Sequence, residues 1–263
     1  MNENKYYEIN KTLWNQRAEV HVDTEFYDMK GFREGKTSLQ KIELDLIGDI
    51  KGKDLLHLQC HFGMDTLSFA RMGANVTGLD LSDKAISIAS SISEELNIPA
   101  EFICSNTYDA DKNINKKFDV IFVSYGAITW LPDLKKWGEI ISNLLKPGGK
   151  VLVVEFHPAY LMFSDDLKSL EYGYFNSQAF EEEFEGTYAD KNNKMAQKSV
   201  TWNHSIADVQ MALLNAGLKI SHFSEYNYSP YDLFENSVKT EFGFQAEELK
   251  EKVPYVFAVE AIK

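Results

Sequence analysis

From residue 54 to residue 157 the chain alternates short apolar runs with segments of helical periodicity, and that alternation restricts the fold more than any other feature. "DLLHLQC" reads as a strand, and "DTLSFARMG" as a helix stopped by Gly73. "NVTGLDLS" is a second strand, "KAISIASSISEELNI" a helix ended by Pro99, and "AEFICSN" a third strand. "FDVIFVSY" is nearly continuous in apolar residues, as a strand buried on both faces should be. "LPDLKKWGEIISNLL" sets Leu134, Trp137, Ile141 and Leu144 on one side of a helix, "KPGG" reads as a tight turn, and "KVLVVEFH" is a fifth strand. Strands separated by helices call for a parallel sheet built from right-handed βαβ units.

The flanks read differently. Residues 1–50 are polar and helical with aromatics spaced along them, and Leu39, Ile42, Leu46 and Ile50 recur at helical spacing. Residues 158–200 are acidic, aromatic and irregular; their "EEEFE" run reads as a solvated face and not as a metal site. Order returns with Ser205 as a candidate N-cap, a helix stopped by Gly217, a strand, and a closing apolar strand in "VPYVFAVEAIK". The organisation expected is an N-terminal helical lid over 1–50 and a core over 51–263 with an inserted cap at about 158–202.

Composition narrows the class. Hydrophobic residues make up 44% of the 263, ample for a core, and the formal net charge is −13. Phosphate-dominated binding needs clustered Lys and Arg, so nucleic acid and anionic membrane surfaces are poor partners for this chain. Cys60 and Cys104 make neither a disulfide scaffold nor a metal cluster and read as reduced thiols. The first twenty residues lack the apolar run of a signal peptide, and no run approaches the ~20 residues that span a bilayer. A soluble cytoplasmic protein, monomer or homodimer, is the expectation.

"LLHLQCHFGMDTLSFARMGANVTGLDLS", residues 55–82, has the outline of a nucleotide-binding strand–loop–helix–strand unit with most of its loop glycines missing. Taken in order with "FDVIFVSYGAITWL", "LKPGG" and the two last strands, it resembles the class I S-adenosylmethionine-dependent methyltransferases over roughly 50–157 and 203–263. That resemblance implies a Rossmann-like α/β fold: a mostly parallel seven-stranded sheet with an antiparallel last strand and helices on both faces. It sets His57 at the family's acidic position, Gln59 and His61 at the first two glycines, and Gly63 at the third. The loop looks like a variant found in one bacterial branch of the family. S-adenosylmethionine, the cofactor implied, carries no phosphate, so its loop needs less bare backbone than a dinucleotide's.

The resemblance also implies roles. Asp80, with Leu81 beside it, ends the second strand where the family holds the ribose hydroxyls; a helix N-cap is the other reading of Asp80. Asn106 lies where adenine is contacted, or is a turn residue. Ser124 and Tyr125 end the fourth strand, which faces the methionine part and the methyl group. His57 reads as a buried structural histidine or a contact to the cofactor's amino acid, His61 as a contact near that end or a surface residue. Two histidines four apart, with no further ligand at metal spacing, do not make a metal site.

Methyl transfer needs a base only if the acceptor carries a proton, and candidates at the sheet's carboxyl edge are Glu155, His157 and His204. Trp14, Tyr27, Trp130, Tyr160, Tyr172, Phe175 and Trp202 are candidate acceptor walls, although any one of them is as readily explained by packing. "WNQRAEVH" places Trp14, Arg17 and His21 near one helix face, where Arg17 suits the donor's carboxylate or an acidic substrate. The function expected is methyl transfer to a small molecule. A nicotinamide-dependent oxidoreductase and a non-catalytic S-adenosylmethionine-binding module are the alternatives.

Overall fold

Strand residues that are apolar without alternation must be covered on both sides, and the computed structural model, which describes residues 3–164, 166–175, 178–190 and 194–263, covers them with helices. Helix α1 (Glu3–His21) comes first, then a 3₁₀ turn at Glu25–Tyr27 and the short helices α2 (Met29–Arg33) and α3 (Lys41–Ile47). The alternating region follows as β1 (Asp54–Leu58), α4 (Met64–Arg71), β2 (Asn75–Asp80), α5 (Asp83–Leu96), β3 (Glu101–Cys104), α6 (Ala110–Asn113), β4 (Phe118–Ser124), α7 (Leu134–Leu144) and β5 (Leu145–Phe156). An antiparallel hairpin, β6 (Phe180–Glu185) and β7 (Ala196–Thr201), precedes α8 (Ile206–Asn215) and β8 (Lys219–Tyr226). A small ribbon, β9 (Ser237–Lys239) and β10 (Phe244–Ala246), leads to β11 (Val256–Ile262).

Seven strands form one sheet in the order β3-β2-β1-β4-β5-β11-β8. The first five pair in parallel, and β11 runs antiparallel to both β5 and β8. Successive residues feed opposite cores. Leu56, Ile121 and Val153 pack with Trp137 and Leu213 of α7 and α8, while Leu55, Val120 and Leu152 pack with Phe69 of α4 and Ile42 of α3. Strand order reverses between β1 and β4, and the crevice outside that point is where such sheets take ligands.

Three sequence expectations change in detail. "KPGG" is not a free turn: Gly148 donates its N–H to the Lys263 carbonyl and Lys263 donates to Gly149, so the run is stitched to the end of β11. The family resemblance implies a hairpin for the two last strands; they do pair antiparallel, but 227–255 intervene with their own ribbon. The "irregular" region contains β6, whose period-2 exposure pattern turns Phe180, Glu182 and Phe184 toward the protein. The expected cap also spans 165, 176–177 and 191–193, which lie outside the described residues.

Helix α1 lies across α5 and β7. Asn10 brackets Val200, donating Nδ2–H to its carbonyl at 2.8 Å and accepting its N–H at 2.9 Å. Asn15 accepts a hydrogen bond from Ser82 Oγ at 2.6 Å and donates to Asp83 at 3.1 Å, at the first turn of α5. No helix among the described residues is long and apolar enough to cross a membrane.

On the far face, α7 and α8 approach so closely at Gly138 that a Cβ there would press on the main-chain carbonyl of Ala212. Overpacking of this kind costs about 1–3 kcal/mol. Gly138→Ala should therefore lower the unfolding free energy by at least 1 kcal/mol in urea titration, although alanine is the better helix former.

Candidate active site

Helical spacing selects what α1 presents to the sheet edge. Tyr7, Asn10, Trp14 and Arg17 recur at intervals of three and four, and all four line a cavity of about 570 Å³ above the carboxyl ends of β1, β2 and β4. The opposite wall carries His57, Gln59, His61, Gly63, Asp80, Leu81, Asn106, Ser124 and Tyr125, with Tyr27 and Trp130 beside them. Thirteen of the residues singled out from the sequence as cofactor or lid contacts thus share one enclosure.

The loop after β1 keeps a glycine loop's course without its glycines. Gln59 and His61 adopt left-handed backbone angles, with φ of 57° and 51°, and Gly63 follows at 78°. A non-glycine residue in that region costs about 1 kcal/mol or more, so something must hold it. Asp80 does so from the end of β2: one carboxylate oxygen accepts the His61 N–H at 2.9 Å and the other accepts the Ser82 N–H at 2.8 Å. Burial raises the Asp80 pKa, while these amides oppose that shift. Ser82, not Asp80, caps α5, accepting the Ala85 N–H. Gly63 is required by space as well as by φ, because a Cβ there would meet the Phe102 ring at 2.7 Å.

The side chains at the lost glycine positions brace the loop. Gln59 donates Nε2–H to the Ala127 carbonyl at 2.7 Å, tying the β1 loop to the β4 loop. His61 Nε2 lies 3.3 Å from His21 Nδ1, so one imidazole donates to the other across loop and α1. Both rings are neutral: desolvation holds His21 at about 3 and His61 well below its usual range, with the Arg17 charge adding to each. The far nitrogens, His21 Nε2 and His61 Nδ1, and Gln59 Oε1 are buried without a partner among the described residues. His57 ties β1 to α4 and β4 through Thr66 Oγ1 at 2.9 Å and Ser124 at 3.4 Å, and burial lowers its pKa to about 3.

The β4 loop is held by a second carboxylate. Glu155, fully buried, accepts the N–H groups of Gly126, Ala127, Ile128 and Phe156. Tyr125, at φ 30°, begins the turn and donates its hydroxyl to Glu43 of α3 at 2.8 Å.

The structure does not bring the three base candidates to the cavity wall. Glu155 is spent on its amides; His157 holds Glu225 at 2.8 Å and the Ala159 N–H; His204 donates to the Leu131 carbonyl at 2.7 Å. Of the aromatics, Tyr160 lines the cavity, Trp202 packs edge-on against Tyr6, Tyr172 donates to Glu182, and Phe175 is exposed. Sequence reasoning missed Tyr7, Asn10, Ser38, Asp65, Tyr188 and Tyr231. Continuing the Trp14–Arg17 spacing backwards would have found the first two. Asp65 accepts a hydrogen bond from Ser38 at 2.6 Å, and burial raises its pKa.

Two tests follow from these contacts. Because alanine keeps the left-handed penalty and glycine does not, Gln59→Gly should be about 1 kcal/mol more stable than Gln59→Ala in chemical denaturation, both lacking the amide bond. Desolvation, with Asp65 nearby, raises Glu43 from 4.5 to about 7 in the folded state. The folded chain then holds a proton that the unfolded chain has released, so stability should fall as pH rises from about 4.5 to 7 and level off above. The loss is on the order of 3 kcal/mol at most, and Glu43→Gln should remove this part of the slope in unfolding measured across that range.

Comparison with known proteins agrees with this geometry. Residues 55–149 match the family described as methyltransferase domain. The chain is 27% identical over 152 residues to a ubiquinone biosynthesis O-methyltransferase of Shewanella pealeana, covering 56% of this chain and 64% of that protein. It is 31% identical over 116 residues to the protein of the same name from Chromobacterium violaceum, covering 43% and 50%. The chain thus spans about half to two thirds of the length of these curated relatives. Among solved structures, an S-adenosylmethionine-dependent methyltransferase from Clostridium acetobutylicum superposes with a TM-score of 0.58 at 17% identity, covering 99% of this chain and 98% of that one. One from Mesorhizobium loti gives 0.56 at 19% identity, covering 88% and 100%.

Proposed function

We propose that this chain, which has the class I methyltransferase fold and a methyltransferase domain at 55–149, transfers a methyl group from S-adenosylmethionine to a small-molecule acceptor. The observation that carries the reading is Asp80: a half-buried carboxylate on the cavity wall, at the tip of β2, that also locks the neighbouring loop into a left-handed course. The match to O-methyltransferases over the domain supports the same reaction class.

The residues present fit the donor. Vicinal hydroxyls suit the acceptor capacity left on Asp80, and Leu81 and Asn106 line the cavity beside it, where an adenine joined to that ribose would lie. Asn106 also caps the turn at Thr107–Asp109 through its Oδ1. Gln59 Oε1 and His61 Nδ1, buried polar atoms without protein partners, suit the donor's amino-acid end. A dinucleotide fits poorly: its pyrophosphate would need neutralising, and Arg17 is the single Lys or Arg lining the cavity among the described residues.

When bound, the donor supplies an activated methyl on a sulfonium. The chain's own part is alignment and exclusion of water. Helix α1 closes the cavity with Tyr7, Trp14 and Arg17, and Trp130 and Tyr27 narrow it from the sides. Four largely buried carboxyls lie at or near the cavity: Asp80 and Glu155 are committed to backbone amides and Glu43 to the Gln40 N–H and the Tyr125 hydroxyl, whereas Asp65 lines the cavity with the Ser38 hydroxyl as its one hydrogen-bond partner among the described residues and a pKa raised by burial. Asp65 is accordingly the group that takes the proton of an acceptor hydroxyl.

Calorimetry with S-adenosylhomocysteine tests the donor site. Wild type should bind it and not NAD, and Asp80→Ala should weaken it at least tenfold while circular dichroism and thermal midpoint report a folded chain. Unchanged affinity in that variant would refute the ribose assignment.

A further inference from the structure

Arg17 is the one feature of the cavity that the donor reading leaves unexplained. It is 7% exposed, it lines the cavity from α1, and no carboxylate among the described residues lies within 4 Å of its guanidinium. Its one hydrogen bond runs from Nε to Gln197 Oε1 of β7 at 3.1 Å. That bond fixes the orientation of the Gln197 amide and leaves Gln197 Nε2, also buried, with no acceptor. A guanidinium does not deprotonate, and a buried charge is tolerated when an anion partners it. The chain provides the cation and withholds the anion.

The surroundings say what bears that anion. The guanidinium carbon lies 5.1 Å from the Trp14 ring, 5.8 Å from Trp130, 5.5 Å from Phe184 and 5.7 Å from Tyr188. Flat apolar walls around a planar donor fork suit a carboxylate attached to a flat, largely apolar body. They also set Arg17 apart from the donor loop. Trp14 contacts His61 of that loop at 5.1 Å and Arg17 at the same ring distance, while the rest of the Arg17 shell comes from Trp130 after β4 and from the β6–β7 region. At the loop itself, the first amides of α4 have no acceptor among the described residues and form a place for the donor's own carboxylate.

We propose that Arg17 is the anchor for an acceptor carboxylate, so that the substrate class is a flat, aromatic small molecule bearing an acidic group. This rests on the methyltransferase reading and names the acceptor end of the same site.

Calorimetry on the full chain saturated with S-adenosylhomocysteine provides the test, with benzoate and 2-naphthoate compared against their uncharged amides. Wild type should bind at least one carboxylate tenfold or more tighter than its amide. Arg17→Gln should erase that preference and leave S-adenosylhomocysteine affinity within about threefold of wild type; Arg17→Lys, which keeps charge but not the fork, should retain part of it. Equal or absent binding of both carboxylates by wild type overturns the proposal without any variant. A tenfold loss of S-adenosylhomocysteine affinity in a folded Arg17→Gln also overturns it, by giving the anion to the donor. Failure of wild type to bind S-adenosylhomocysteine at all would instead fell the donor reading, a separate and distinguishable result.

Discussion

Two carboxylates that accept main-chain amides set the shape of the cavity floor. Asp80 holds the loop after β1, Glu155 holds the loop after β4, and the Gln59 amide joins the two loops through the Ala127 carbonyl. A carboxylate surrounded by aligned N–H groups recovers in hydrogen bonds much of what burial costs it. The amides, in turn, are held in positions that the local sequence does not favour. Tyr125, Gln59 and His61, all non-glycine and all at positive φ, stand next to these anchors. Strain concentrated in this way is sustained because the surrounding bonds over-determine it.

This arrangement explains how a glycine-poor loop keeps the course of a glycine-rich one. Glycine makes the left-handed turn without steric cost but leaves no side chain to brace it. Here the side chains at those positions cross the gap, Gln59 to β4 and His61 to α1, so part of the conformational cost is offset by cross-links. The consequence reaches the upper wall as well. His21, His61, Trp14 and Tyr27 form a continuous ring cluster from loop to α1, and Arg17 rests on its far side. Two neutral imidazoles next to an uncompensated guanidinium make that corner selectively welcoming to negative charge.

The sheet is the part most legible in the amino-acid sequence. Leu55, Leu56, Val120 and Ile121 admit burial on both faces and little else, and Gly73 and Gly217 end helices where their positive φ requires them to. The cavity edge was legible too, because Asp80 and Gly63 carry local, residue-specific demands and both line the cavity. Positions whose meaning depends on a distant partner were not. The glutamate that follows "KVLVV" gives no sign that it will gather four amides from residues 126–128 and 156, and "YNYSPYDLF" no sign that Tyr231 will face Phe26 and Tyr125.

What the chain's letters determined alone is therefore periodic and local: strands from unbroken apolar runs, helices from three-and-four spacing, stops from glycine, and a carboxylate at a strand tip. What tertiary structure alone decided is which polar groups end up satisfied. Glu155, His157 and His204 lie behind the cavity wall, each bonded to a partner there, while Arg17 was left facing into the cavity with no counter-charge among the described residues. Periodicity reports which side of an element is covered, because burial acts on each residue separately. Pairing is a property of two residues brought together from far apart in sequence, so it comes into being only when the fold does.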